Sequence, residues 1–265
     1  MYQFNYHRPG SLDGALALIG EAEDPKILAG GQTLLPTLKQ RLAMPSDLVD
    51  LAGIGNLTGI SVSGDSLAIG AMTRHVEVAN SAEVRAKIPA LAALAGDIGD
   101  RQVRNRGTLG GSIANNDPAA DYPAACLALG ATITTTKRSL AAGEFFTGLF
   151  ETALGDDEIV TTVSFPAPEK AAYMKFKNPA SRYAIVGVFV AKFGADVRVA
   201  VTGAGSSGVF RVPEMEAALA ANFSPDALEG IAVPEDGLNS DIHAAADYRA
   251  HLIGVMAGRA VAACG

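Results

Sequence analysis

Three stretches of this sequence hold clustered glycines, the first and third directly behind strand-like runs: "ILAGGQTLLPTLKQRL" at 27 to 42, "RGTLGGSIANNDPAADYPAACLALGATI" at 106 to 133, and "RVAVTGAGSSG" at 198 to 208. Glycine in such a turn adopts backbone angles closed to other residues and leaves no side chain between the main chain and a ligand. A chain punctuated this way must mix sheet, helix and shaped loops.

A dinucleotide-binding turn works because a helix begins inside or just behind the glycines, so that its first N–H groups face the pyrophosphate. "GAGSSG" has the G-x-G-x-x-G spacing, but "VFRVP" follows it, and no later parallel strand brings an acidic ribose ligand. It reads as a plain strand-end turn. "ILAGGQTLLPTLKQRL" does run from strand through glycine pair to helix, with Thr33 at the N-cap position, Pro36 in the first turn and Leu34, Leu38 and Leu42 on one face. Gly30 and Gly31 could form an anion-binding nest there, or an ordinary βα turn. The middle stretch offers the N–H groups of Gly107, Gly110 and Gly111 beside Thr108, Ser112, Asn115 and Asp121. Asp121 is placed to cap a helix from near Pro123 to Gly130, so the segment before it is expected to be extended. A diphosphate clamp and a capped, turn-rich connection both fit these residues.

Ser11 is a plausible N-cap for a helix carrying Leu12, Ala15, Leu16 and Ile19, followed by a strand at "PKIL" and a short extended run at "DLVD". "NLTGISVSGDSLAIGAM" alternates about a turn and predicts an antiparallel hairpin, and helical segments follow at about 73 to 95. The β-branched "TITTT" and "DEIVTTVSFPAP" read as strands, the second stopped by Pro166 and Pro168. Beyond it come three strands, "YMKFKN", "YAIVGVFVAKF" and "DVRVAVTGAG", then two amphipathic helices, "EMEAALAANF" and "AADYRAHLIGVMAGRAVAAC". The expected fold class is α+β. Domains are expected at 1–166, with subdomains of about 1–55 and 56–166, and at 167–265.

The net charge of −7 opposes binding to a phosphate backbone, so nucleic acid is not an expected partner. Cys126 and Cys264 are far apart and supply neither a disulfide framework nor an iron–sulfur ligand set. A reducing cytoplasm fits best. The start "MYQFNYHRPG" has no basic run leading into an apolar core, so no export signal is expected. His7, His75, His243 and His251 are scattered, no metal site is expected, and Arg101, Arg104 and Arg106 form a basic edge before the middle glycine stretch. That edge reads as solvated, or as a contact to a bound phosphate or a partner subunit.

"AGGQTLLPTLKQRL" and "TLGGSIANNDPAADYPA" resemble the paired flavin-binding motifs of the FAD subunit of molybdenum hydroxylases, the xanthine dehydrogenase family. The nearest likeness is to aerobic-type carbon monoxide dehydrogenase medium subunits. "FNYHRP", "DEIVTTVSFPAP", "YMKFKNPASRYAIVGV" and "ADYRAHLIGVMAGRAV" fall in family order, so the likeness runs nearly the whole chain. It implies a two-subdomain FAD-binding (PCMH-type) domain followed by a small antiparallel sheet-plus-helices domain. It also implies a non-covalent FAD whose pyrophosphate is approached by Ala29, Gly30, Gly31, Gln32 and Thr33 and clamped by Thr108, Gly111, Ser112 and Asn115. By the same likeness Asp121 contacts the adenosine side, Val160 gives a backbone contact, Lys177 lies near the flavin ring and Tyr183 stacks beside it. None of these residues is catalytic toward substrate.

The implied function is an oxidoreductase subunit that passes electrons from a partner's iron–sulfur clusters through FAD to an external acceptor. Molybdenum-pterin belongs to a large partner subunit and the clusters to a small one, in a dimer of heterotrimers that reaches a membrane only peripherally, through partners. A self-sufficient flavin oxidase and a flavin-free scaffold are the alternatives.

Overall fold

The computed structural model describes residues 1–264; Gly265, the end of the segment expected at 167–265, lies outside the described residues. The chain opens with β1 (Asn5–His7), α1 (Leu12–Glu21), β2 (Pro25–Leu28), α2 (Leu34–Lys39) and β3 (Asp47–Asp50), whose strands form a parallel sheet in the order β1-β3-β2. Ser11 caps α1 as its position suggests, accepting the Gly14 amide at 3.2 Å, and Ala15 and Ile19 bury against Val49 and Leu51. α2 is shorter than the leucine spacing implies. It ends at Lys39, Arg41 turns to φ 61°, and of the three leucines Leu38 is buried while Leu42 is 73% exposed. Thr33 sits at the N-cap position without a capping bond, because its backbone is already helical; its carbonyl accepts from Thr37 Oγ1 at 2.9 Å.

β4 (Ile60–Ser63) and β5 (Ser66–Gly70) make the expected hairpin, and α3 (His75–Asn80), α4 (Ala82–Lys87) and α5 (Pro89–Gly96) fill the expected helical stretch. Then follow α6 (Arg101–Arg104), α7 (Leu109–Asn115), α8 (Tyr122–Leu129), β6 (Thr132–Thr135), β7 (Ser139–Ala141), α9 (Ala142–Phe145), β8 (Phe146–Gly148), β9 (Glu151–Thr152) and β10 (Val160–Pro166). β4, β5, β10, β6 and β7 form one antiparallel sheet in that spatial order, and β8 pairs with β9.

α7 corrects the expectation of an extended segment before Asp121. Two glycines cost roughly 1 kcal/mol each in a helix relative to alanine. The cost is met because Thr108 Oγ1 caps the Gly111 amide at 3.2 Å, and because Gly110 must lie against Ala71, where a Cβ would come within 2.5 Å of the alanine methyl. Close packing decides the conformation against local preference.

The last part builds β11 (Lys170–Lys177), β12 (Ala184–Phe193), β13 (Asp196–Thr202) and β14 (Phe210–Arg211) into an antiparallel sheet in chain order, with α10 (Pro213–Ala221) and α11 (Ala246–Ala263). The "GAGSSG" turn leads from β13 to β14 with Gly203 at φ 83° and Gly208 at φ 106°, and no helix starts behind its glycines until Pro213. β12 is an unbroken apolar run because both its faces are covered. Val186, Val188 and Val190 join Leu252, Ile253 and Met256 of α11, while Phe189 and Ala191 enter the central cluster with Leu91 and Tyr122. Full burial of each such side chain stabilises by about 1.5–3 kcal/mol.

Arg249 of α11 ties this sheet together from inside. Only 3% exposed, it donates from Nη1 to the carbonyls of Ile185 (2.6 Å) and Gly203 (3.0 Å) and from Nη2 to Asp241 Oδ2 at 2.7 Å. Lysine has a single donor centre and cannot span these acceptors. Arg249→Lys is expected to lower unfolding free energy by about 2–3 kcal/mol, read from urea midpoints, by leaving buried acceptors unpaired.

Candidate functional site: a cavity between two glycine loops

The Ala29–Thr33 loop behind β2 and the Gly107–Asn115 segment meet so closely that each needs glycine. A Cβ on Gly30 would lie 2.2 Å from the Arg106 carbonyl oxygen and 2.7 Å from Gly107 Cα; one on Gly111 would lie 2.9 Å from Thr108 Oγ1 and 3.2 Å from Ala29 Cβ. Between them opens a cavity of about 470 Å³. Ala29, Gly30, Gly31, Gln32, Thr33, Thr108, Gly111, Ser112, Asn115, Asp121, Val160 and Tyr183 all line it.

The two loops contribute different donors. Among the described residues, the backbone amides of Gly30, Gly31, Gln32 and Thr33 donate to no protein atom, with Gly31 held at φ 72°. Successive free amides in a turn form an anion-binding concavity. The glycine amides of the second loop, expected to be free, are spent internally. Gly107 donates to Val103 O (2.7 Å), Gly110 to Ala71 O (2.8 Å) and Gly111 to Thr108 Oγ1 (3.2 Å), because this loop is a helix packed on the end of β5. What it offers instead is the Ser112 hydroxyl and the Asn115 amide, neither hydrogen-bonded to another described side chain or backbone group.

Asp121 stands at the N-cap position of α8 but does not cap it. Its Oδ1 accepts from the Tyr173 hydroxyl and lies 2.9 Å from Lys175 Nζ, both on β11. Burial pushes the Asp121 pKa up, against the opposing pull of Lys175 and Tyr173. Lys175 Nζ also donates to the Asp97 carbonyl at 2.8 Å. Lys177, two residues along, is not among the residues that line the cavity, and its ammonium donates to Asp97 Oδ1 at 2.7 Å. Tyr183 does line the cavity, at the end of a loop in which Asn178 Oδ1 accepts the Ala180 amide at 2.9 Å and the Ser181 amide at 3.2 Å. Burial raises the Tyr183 pKa, followed by the charges of Asp117 and Asp121. Asp121 and Tyr183, which the resemblance assigns to the adenosine side and the flavin ring, line the same cavity.

Sequence reasoning missed two titratable wall residues. Glu158 is held by Arg138 Nε (3.0 Å), by Arg138 Nη2 (3.0 Å), by the Thr135 hydroxyl and by the Gly155 amide, and its pKa falls to about 2, chiefly through Arg138. His75 was only one of four scattered histidines. It proves 4% exposed, tilted on Tyr122 at 5.4 Å, with Nδ1 unpartnered among the described residues. Nothing in its neighbours in sequence signals this; the Gly107 backbone, which crosses against its ring, does. The cavity therefore combines free amides, glycines that admit a ligand to the backbone, and a buried imidazole lacking a partner, which suits a large phosphate-bearing cofactor with an aromatic portion.

Such a pair of loops on this α+β scaffold defines a flavin-binding subunit. Residues 2–168 match the family described as the FAD binding domain in molybdopterin dehydrogenase. The chain is 37% identical over 276 residues to the nicotine 6-hydroxylase medium subunit of Paenarthrobacter nicotinovorans, covering 98% of this chain and 96% of that one. It superposes with TM-score 0.87 and 35% identity on a chain of the carbon monoxide dehydrogenase of Hydrogenophaga pseudoflava, covering 99% of this chain and 97% of that one. A chain of quinoline 2-oxidoreductase from Pseudomonas putida 86 matches with TM-score 0.85 and 30% identity, covering 99% and 96%. The chain belongs to the FAD-binding medium-subunit family of molybdenum hydroxylases, oxidoreductases in which molybdenum-pterin and iron–sulfur clusters reside on other subunits.

His75 generates a pH test. Burial, then the Arg104 charge, lowers its pKa from 6.5 to about 4, so it is neutral in the folded protein at neutral pH. As pH falls from 6.5 toward 4 the unfolded chain takes up this proton first, and the folded state loses relative stability, by an expected ~3 kcal/mol across the window. His75→Asn removes this component. Urea midpoints across that window should drop less in the variant than in the parent protein.

Proposed function

We propose that this chain holds one FAD non-covalently between the two glycine loops, takes electrons from the iron–sulfur clusters of a small partner subunit and delivers them to an external acceptor. The observation that carries this reading is the run of free amides from Gly30 to Thr33, facing Ser112 and Asn115 across a contact too tight for any side chain. Bound FAD supplies the electron-transfer chemistry, and the protein supplies binding, orientation and tuning.

The Gly30–Thr33 amides bind the pyrophosphate charge, with Ala29 and Gln32 closing the turn around it. Thr108, through its cap on α7, keeps Gly111 close to Ala29, while Ser112 and Asn115 hydrogen-bond to the cofactor from the facing wall. Val160, 5% exposed, presents backbone to the cavity, and half-exposed Tyr183 covers the flavin ring. Asp121 accepts a cofactor hydroxyl on the adenosine side. Lys177, held by Asp97 outside the cavity lining, keeps its place near the flavin ring as an expectation of the resemblance.

The chain divides at Pro166 to Pro168 into an FAD-holding part and a C-terminal part. It assembles in the cytoplasm with a large molybdenum-pterin subunit and a small iron–sulfur subunit as a dimer of heterotrimers. No helix among the described residues is long and apolar enough to cross a membrane. Relatives named for nicotine, carbon monoxide and caffeine share this subunit type, which supports a substrate pocket on the large partner.

The purified protein is expected to show flavin absorbance and to release intact FAD on acid treatment. Gly30→Ala should weaken FAD binding by about tenfold or more while circular dichroism stays native, since overpacking at such a contact costs ~1–3 kcal/mol. Flavin that stays bound through acid treatment, or substrate turnover by this chain alone, would favour a self-sufficient oxidase.

A further inference from the structure

α6 faces two ways. Val103 lines the FAD cavity, whereas Arg101 and Arg104 line a separate open groove of about 600 Å³ bounded by α3, α4 and α5. Arg85 and Asn105 complete its polar rim and Ala92 and Ala93 form an apolar shelf; no carboxylate lines it among the described residues. The acidic side chains nearest in sequence are occupied elsewhere: Glu77 by the Arg74 amide, Glu83 by Ser81 and Asp100 by the Val103 amide.

These arginines lack the carboxylate partner that four others in the chain have. Arg138, Arg198, Arg211 and Arg249 each pair with a carboxylate. Arg85 and Arg104 are pinned instead by neutral oxygens, Arg85 by Ala79 O (3.0 Å) and Asn80 Oδ1 (3.0 Å), Arg104 by Ile98 O (2.9 Å) and Gly99 O (3.0 Å). Their side chains are ordered in advance while their charge is left uncancelled, in a chain of net charge −7. Arg101 has no side-chain partner among the described residues. Guanidinium groups favour the bidentate geometry of phosphate oxygens, three of them line this groove, and a concavity of this size suits a small molecule rather than a flat protein interface.

We propose that this groove is a second ligand site, distinct from the FAD cavity, for an organic phosphate of nucleotide size. Its phosphate lies among Arg85, Arg101 and Arg104, and its apolar portion rests on the Ala92–Ala93 shelf. Because Arg104 also holds the Ile98 and Gly99 carbonyls, whose residues line the FAD cavity, the two sites share a wall.

The test is calorimetric titration of ADP and of inorganic pyrophosphate into the FAD-saturated complex. One ADP per chain should bind, more tightly than pyrophosphate. Arg85→Ala and Arg101→Ala, which do not touch the FAD cavity, should each weaken ADP by about tenfold while leaving the flavin spectrum and FAD retention unchanged. The proposal is overturned if ADP binds only after FAD is stripped, since ADP then occupies the FAD cavity. It is equally overturned if pyrophosphate binds as well as ADP, or if ADP fails to bind; release of a partner subunit by Arg85→Glu would then make the groove a docking surface. A protein that never retains flavin would count against the FAD reading alone, and the two arginine variants would still report on the groove.

Discussion

The architecture of the site depends on two backbones approaching more closely than any side chain permits. Gly30 sits against the Arg106 carbonyl and Gly107, and Gly111 against Ala29 and the Thr108 hydroxyl. This contact brings a loop of the small parallel sheet to a helix packed on the five-stranded sheet. It also leaves the Gly30–Thr33 amides pointing into space that no protein atom fills. Cavity shape and donor set are consequences of one steric fact.

A second joint is electrostatic. Asp121, at the start of α8, is met by Tyr173 and Lys175 from β11, and Lys175 and Lys177 both reach Asp97 at the end of α5. Tyr173 crosses directly over Gly187, where a Cβ would lie 2.3 Å from its hydroxyl oxygen, so the neighbouring strand is bare where the tyrosine needs room. Taking charges out of water is costly unless they are paired and hydrogen-bonded, so this cluster is sensitive to loss of any one member. Through it the C-terminal sheet sets the position of an acid in the cavity wall and, by way of the adjoining loop, of Tyr183.

Much of the fold was legible because local signals and global packing agree. The hairpin about Gly64 and Asp65, the Ser11 cap, the apolar run of β12 and the late helix behind "GAGSSG" all follow from patterns a few residues long. The errors cluster where a distant contact overrides a local preference. Two glycines enter α7 because Ala71 leaves no room for anything else, and α2 stops early because Leu42 finds nothing to bury against. Thr33 and Asp121 occupy capping positions without capping. Nothing in "YMKFKN" says which of its two lysines is the buried one.

By itself the sequence determined the class of fold, the presence of two loops built to admit a ligand to their backbone, and the family those loops resemble, since glycine placement and apolar periodicity act over short spans. Tertiary structure alone decided which amides remain free, which charges meet, and that a solitary histidine lies neutral in the cavity wall. Those outcomes rest on contacts between residues tens of positions apart, such as Gly30 with Gly107 and Asp121 with Lys175, and on the desolvation that only a closed core imposes.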